Sequence, residues 1–188
     1  DFDELQSWFI RRVEGILRAR GKRLVGWDEI LEGGLAPGAT VMSWRGMEGG
    51  AAAVRQGRDA VMCPTSHCYF DYAQGDPEEQ PPAIGSRVTT LREVYRFEPV
   101  PAGLSPAEEG RILGAQGNVW TEYIPTPHHC EYMALPRLAA LAEVVWSPAA
   151  GRDYRGFRGR LRRHFRRLDC MGVNYCSGAY RVRFRAEA

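Results

Sequence analysis

Three short apolar runs, each closed by a tryptophan among polar residues, constrain this chain more than anything else in it. They are Arg23-Leu-Val-Gly-Trp-Asp-Glu-Ile30, Thr40-Val-Met-Ser-Trp-Arg-Gly46 and Ile112-Leu-Gly-Ala-Gln-Gly-Asn-Val-Trp-Thr-Glu122. Short buried runs of this kind, separated by helix-like sequence, read as parallel strands of an α/β fold. Strands that run the same way would deliver Trp27, Trp44 and Trp120 to one end of a sheet as an aromatic pocket. The alternative is that the tryptophans fill the core. Their shared position and polar flanks favour the pocket.

The segments between these runs alternate with them. Residues 3–20 form an amphipathic helix, with Leu5, Trp8, Phe9, Val13, Ile16 and Leu17 at helical spacing and Arg11, Arg12, Arg18 and Arg20 mostly elsewhere. Asp3 with Gln6 resembles a capping box, and Gly21 is a natural stop. Strands are expected at 23–27, 40–44, 59–63 and 112–116, with a short helix at 51–56. Residues 64–110 carry many prolines and glycines, with one helical piece around Leu91–Tyr95; a connection of that length is usually functional. A helix at 129–145 is expected to bury Met133, Leu138, Leu141 and Val145 and to kink at Pro136. Tyr154–Leu168 is the last helix. Four strands cannot close a barrel, so they make an open parallel sheet or half of an eight-stranded (β/α) barrel whose first half is missing. The opening helix, which leads straight into a strand, favours the half barrel.

Composition narrows the function classes. At 188 residues the chain suits one domain, and no apolar run approaches the roughly 20 residues of a membrane span. The start reads as an amphipathic helix, with no signal peptide. The net charge is +2, yet eleven arginines fall between Arg152 and Arg185. That density could suggest nucleic acid. However, Phe157, Leu161, Phe165 and Leu168 form an apolar stripe with Arg155, Arg158, Arg162 and Arg166 on another face, so the segment is an amphipathic helix with a solvated side. The five cysteines (Cys63, Cys68, Cys130, Cys170, Cys176) include no C-x-x-C pair, and His67, His128, His129 and His164 have no metal-site spacing. Neither a metal nor a cofactor is proposed.

The motifs Trp8-Phe9-Ile10, Gly26-Trp27-Asp28-Glu29-Ile30-Leu31-Glu32-Gly33-Gly34 and Ser43-Trp44-Arg45-Gly46 resemble family 20 of the glycoside hydrolases, the β-N-acetylhexosaminidases. So do Tyr69-Phe70-Asp71, the run from Gly114 to Glu122, and the run from Tyr132 to Glu143. The resemblance extends from about Leu5 to Tyr175 with its motifs in order. It implies a (β/α)8 TIM barrel, here from the fourth helix through strands five to eight and the last helix. All 188 residues would then be one partial catalytic domain.

The resemblance implies roles residue by residue. The family cleaves by substrate assistance, in which the acetamido oxygen of the sugar attacks its own anomeric carbon. Trp27, Trp44 and Trp120 match the aromatic box around the N-acetyl group. Tyr69 matches the tyrosine bonded to the acetamido oxygen, and is the catalytic candidate in this chain. Asp71 and Glu122 match carboxylates that accept from the sugar's 6- and 4-hydroxyls. The family's adjacent Asp-Glu acid pair would lie upstream of Asp1, and Asp28-Glu29, one strand too late, reads as structural. Implied partners are N-acetylhexosamine-containing glycans, with a periplasmic or secreted location; open sheet edges would favour self-association. A non-catalytic carbohydrate-binding half barrel is the alternative.

Overall fold

In the computed structural model, residues 1–178 are described. In chain order the elements are α1 (Phe2–Arg18), β1 (Val25–Trp27), β2 (Thr40–Ser43), α2 (Glu48–Arg55), β3 (Ala60–Met62), α3 (Thr65–Cys68), α4 (Leu91–Arg96), α5 (Pro106–Glu109), β4 (Ile112–Ala115), α6 (Pro127–Ala134), α7 (Arg137–Trp146) and α8 (Tyr154–Met171), with 3-10 turns at Asp28–Leu31, Pro77–Glu79 and Ala149–Gly151. None of these helices is long and apolar enough to cross a membrane. The chain divides into two compact units, one of residues 1–66 and 99–116 and the other of 67–98 and 117–188. Arg181, Arg183 and Arg185, part of the arginine-rich end, lie outside the described residues.

The first unit holds a four-stranded parallel sheet in the order β1-β2-β3-β4. Parallel strands in sequential order, joined by crossovers, are the arrangement of half of a (β/α)8 barrel. Val41, Ala60 and Met62 are buried beneath α2, which contributes Ala51, Ala53 and Val54. The helix approaches closely because its inner face is small: a Cβ on Gly49 would come within 2.9 Å of the Asp28 Cβ. The outer strands β1 and β4 expose Val25 and Leu113.

The opening helix departs from expectation. Its N-cap is Asp1, in a capping box with Glu4 rather than Asp3 with Gln6. Leu5, Trp8, Phe9 and Ile16 are exposed, and the buried residues are Ser7 and Glu14. Ser7 Oγ donates to the Gly34 carbonyl at 2.7 Å, Gln6 Nε2 to the Glu29 carbonyl at 2.8 Å, and the Gly38 N–H to Glu14 Oε1 at 3.0 Å. The loop after β1 has backbone groups that need partners, so the helix docks on it through polar side chains.

The second unit is helical. Leu91, Val94 and Tyr95 of α4 are buried with Ala140, Leu141 and Val144 of α7 and Phe157, Leu161 and Leu168 of α8. The Tyr95 hydroxyl donates to Glu143 at 2.7 Å, and Glu143 also holds Arg160 at 2.6 Å. Tyr95 stacks on Phe157 with ring centroids 4.8 Å apart. The 129–145 segment is two helices, because Pro136 supplies no N–H and its ring collides with a preceding turn. That break re-phases the second helix: Leu138 and Val145 are exposed, and Ala140 and Val144 take the buried positions. Phe165 is only half-buried and stacks on Tyr175 at 4.2 Å. The 64–110 connection is more structured than one helical piece; α3, α4, α5 and the turn at Pro77–Glu79 all lie in it.

Candidate active site

In the first unit, Trp27 is the last residue of β1 and Trp44 immediately follows β2. The two strands are neighbours and parallel, with Trp27 level with Met42, so both indoles sit at the carboxyl end of the sheet. Both are half-buried.

Asp28 and Glu29 are what hold this end together. Asp28 is 1% exposed, and its Oδ2 accepts from the backbone N–H groups of Trp44 at 3.1 Å and Arg45 at 3.2 Å. Its Oδ1 binds Arg45 Nε at 2.6 Å, while Arg45 Nη1 reaches Glu32 at 2.5 Å. The Glu29 carboxylate accepts the Trp44 indole N–H at 3.0 Å. Ser43 Oγ donates to the Gly46 carbonyl and accepts from the Gly50 N–H, both at 2.8 Å, and so closes the turn that follows Trp44. All four carboxylate oxygens of the pair accept from Trp44 or Arg45.

In the second unit, residues 68–70 run parallel to 117–119. The Phe70 N–H donates to the Asn118 carbonyl and the Asn118 N–H to the Cys68 carbonyl, each at 2.7 Å, with Tyr69 and Asn118 bridged. A Cβ at Gly117 would strike the Phe70 ring at 2.5 Å, so only glycine allows this approach. Tyr69 is buried and its ring tilts against Tyr72 at 5.7 Å. Asp71 is 3% exposed, and its Oδ1 has no hydrogen-bond partner among the described residues. Burial pushes its carboxyl up to about 6, its own backbone N–H opposes, the Glu122 charge raises it further, and the Arg137 charge lowers it. Trp120 is 42% exposed and Glu122 is also exposed.

The structure therefore places Trp27 and Trp44 at the same end of the sheet, and sets Tyr69 and Asp71 on the segment that runs beside the one leading to Trp120 and Glu122. Sequence reasoning missed three residues that build these places: Arg137, Gln74 and Asn118. Their signal was faint, since a lone arginine after a proline and an amide in a loop carry no spacing pattern. Gln74 is buried and donates to the Tyr132 carbonyl at 2.5 Å and the Leu135 carbonyl at 3.3 Å.

A parallel sheet in barrel order, with tryptophans at the carboxyl ends of its first two strands, is the arrangement of a (β/α) barrel. Solved structures agree: an exo β-N-acetylglucosaminidase from Vibrio harveyi in complex with N-acetylglucosamine superimposes with a TM-score of 0.84 at 37% identity, over 93% of this chain and 28% of that one. A β-N-acetylhexosaminidase from Streptomyces coelicolor gives 0.79 at 29% identity, over 90% and 35%. Residues 1–149 match the profile of glycosyl hydrolase family 20, catalytic domain, and the chain belongs to that family. Among its relatives, a β-hexosaminidase from Porphyromonas gingivalis is 51% identical over 93% of this chain and 22% of its own length. Another from Vibrio furnissii is 37% identical over 76% of this chain and 24% of its own length. The chain spans about a quarter of the length of these relatives.

Proposed function

We propose that these residues are the carboxyl-terminal half of the catalytic barrel of a β-N-acetylhexosaminidase, which removes terminal N-acetylglucosamine or N-acetylgalactosamine from glycans with retention. The observation that carries this reading is the buried Asp71, whose Oδ1 lacks a donor among the described residues. A buried carboxylate oxygen without a partner is costly, and a sugar hydroxyl supplies the missing donor. The nearby Glu122 charge suits a second acceptor on the same sugar edge.

In this reading Trp27, Trp44 and Trp120 hold the N-acetyl group bent beneath the ring. Its carbonyl oxygen attacks the anomeric carbon as the glycosidic bond breaks, giving an oxazoline-like intermediate. The Tyr69 hydroxyl donates to that oxygen and fixes its approach. Asp71 and Glu122 orient the sugar and take no part in proton transfer. The acid that protonates the leaving group comes from an upstream barrel half, since Asp28 and Glu29 are occupied at the β2 end.

The test joins these 188 residues to an upstream half that carries an Asp-Glu pair. The joined enzyme is expected to release chromophore from an N-acetylglucosaminide and not from the matching glucoside. The 188 residues alone are expected to release none. Equal rates on both substrates would rule out substrate assistance. Turnover by the isolated chain, abolished in Glu29→Gln, would overturn both the site assignment and the half-barrel reading.

A further inference from the structure

Arg137, the first residue of α7, is fully buried and bonds no carboxylate among the described residues. Its Nε donates to the Met133 carbonyl at 3.2 Å, and Nη2 to the carbonyls of Met133 and Phe70, each at 2.6 Å. Nη1 donates to the carbonyls of Tyr72 at 2.9 Å and Thr89 at 3.0 Å. These five bonds use all the N–H donors a guanidinium has. The guanidinium carbon also lies 5.0 Å from the centre of the Phe70 ring.

A buried cation served only by carbonyl dipoles is expensive, because its desolvation is not offset by a counter-ion in contact. A core that needed only filling would take an apolar side chain there. The partners explain the choice. Phe70 and Tyr72 flank Asp71, and Tyr69 precedes Phe70, so the planar fork grips the backbone on both sides of the site carboxylate. From the other direction Gln74 donates to the carbonyls of Tyr132 and Leu135. The segment from Phe70 to Gln74 is thereby tied at both ends to the corner between α6 and α7. Thr89, the remaining partner, donates its own N–H to the Ala73 carbonyl at 2.8 Å and closes the loop on itself.

We propose that Arg137 is the positioning residue of the candidate site: its fork fixes the backbone on either side of Asp71, and its charge offsets that of the buried carboxylate. This rests on the assignment of Asp71 as a sugar-binding group. The electrostatics agree with the geometry. Burial drives Arg137 down to about 9, and the Asp71 carboxylate is among the groups that oppose the change. The groups that act on Asp71 are its own N–H, Glu122 and Arg137. Removing the guanidinium would leave Asp71 beside Glu122 with no compensating cation among them. A lysine would keep a charge and lose the planar fork, which separates the two roles.

The experiment reads Asp71 directly, by the pH titration of its side-chain carboxyl carbon in carbon-13 NMR, in the joined enzyme. In the unaltered protein that carbon titrates near pH 6, and the Arg137 Nε resonance follows the same midpoint. This coupled titration disappears in Asp71→Asn and needs neither substrate nor an Arg137 variant, so it holds even if every Arg137 variant fails to fold. In Arg137→Gln the Asp71 midpoint moves up by about one pH unit, and the acidic limb of kcat/KM moves with it. In Arg137→Lys the midpoint stays within a few tenths of a unit, yet kcat/KM falls roughly tenfold as the fork is lost. An Arg137 Nε resonance indifferent to pH between 4 and 8 overturns the proposal, as does a folded Arg137→Gln with an unmoved Asp71 midpoint. If the titrations behave as stated but N-acetylated sugars do not bind, the positioning of Asp71 stands and the assignment of Asp71 to a sugar fails.

Discussion

The indole N–H of Trp44 donates to the Glu29 carboxylate at 3.0 Å, which joins the residue after β2 to the turn after β1. An adjacent Asp-Glu pair invites a catalytic assignment, yet here Glu29 holds the Trp44 indole. In the joined enzyme Glu29→Gln is accordingly expected to leave the shape of the pH profile unmoved and to lower kcat/KM by about tenfold or less, within one charge-assisted hydrogen bond. In nitrogen-15 spectra the Trp44 indole N–H should shift upfield as the charged acceptor is lost. A loss of a thousandfold or more, with a missing acidic limb, would make Glu29 the proton donor.

Asp71 gives a stability test with a defined sign. Its carboxyl titrates near 6 in the fold against a reference of 3.8, so the folded chain holds that proton more tightly than the unfolded one. The stabilisation is therefore complete below about pH 3.8 and is lost as the pH rises through about 6. Asp71→Asn carries no charge to bury. It should melt a few degrees above the parent at pH 8 and level with it at pH 3.5, while weakening sugar binding. Differential melting at the two pH values checks this, and a deficit at pH 8 would mean Asp71 has a partner that the fold conceals.

Tyr69 and Trp120 should separate turnover from binding. Tyr69→Phe keeps the ring against Tyr72 and removes the hydroxyl, so it should lower kcat more than it raises KM. Under the proposed function Trp120→Ala removes one wall of the N-acetyl box and should cost about 3 kcal/mol in kcat/KM. Steady-state kinetics of the joined enzyme on an N-acetylglucosaminide reads both. A change below about threefold for Trp120→Ala, under 1 kcal/mol, would take that residue out of the box.

The isolated 188 residues should self-associate. Val25 and Leu113 are exposed on the two outer strands, and α1 exposes Leu5, Trp8, Phe9 and Ile16. Unpaired strand edges and an apolar helix face both recruit further chains. Sedimentation velocity should show oligomers that diminish when Val25→Lys and Leu113→Lys are combined. A monomer before any substitution would contradict the expectation.

Much of the architecture was legible locally. Short apolar runs punctuated by glycine and proline specify strands through neighbours a few residues away, and β1 to β4 fall within the expected segments, each trimmed by a residue or two. The tryptophans at the ends of β1 and β2 were legible for the same reason, because a strand's end is visible where its apolar run stops. The capping boxes of α4 and α5, Thr90 with Glu93 and Ser105 with Glu108, are local signals of the same kind, although α5 itself was passed over.

What only the tertiary structure decided depends on residues far apart in the chain. The face that α1 buries follows from carbonyls and N–H groups between Glu29 and Gly38 that have to be satisfied, and these outweigh the apolar periodicity of the helix itself. Pro136 announced a kink, but the new set of buried residues in α7 depends on how that helix meets α4 and α8. Asp28 and Glu29 could be read as structural, but their partners could not, nor could those of Arg137, which reach across 67 residues to the Phe70 carbonyl. A residue's type and local pattern announce that it can bond; which backbone needs that bond is settled only when distant segments are brought together.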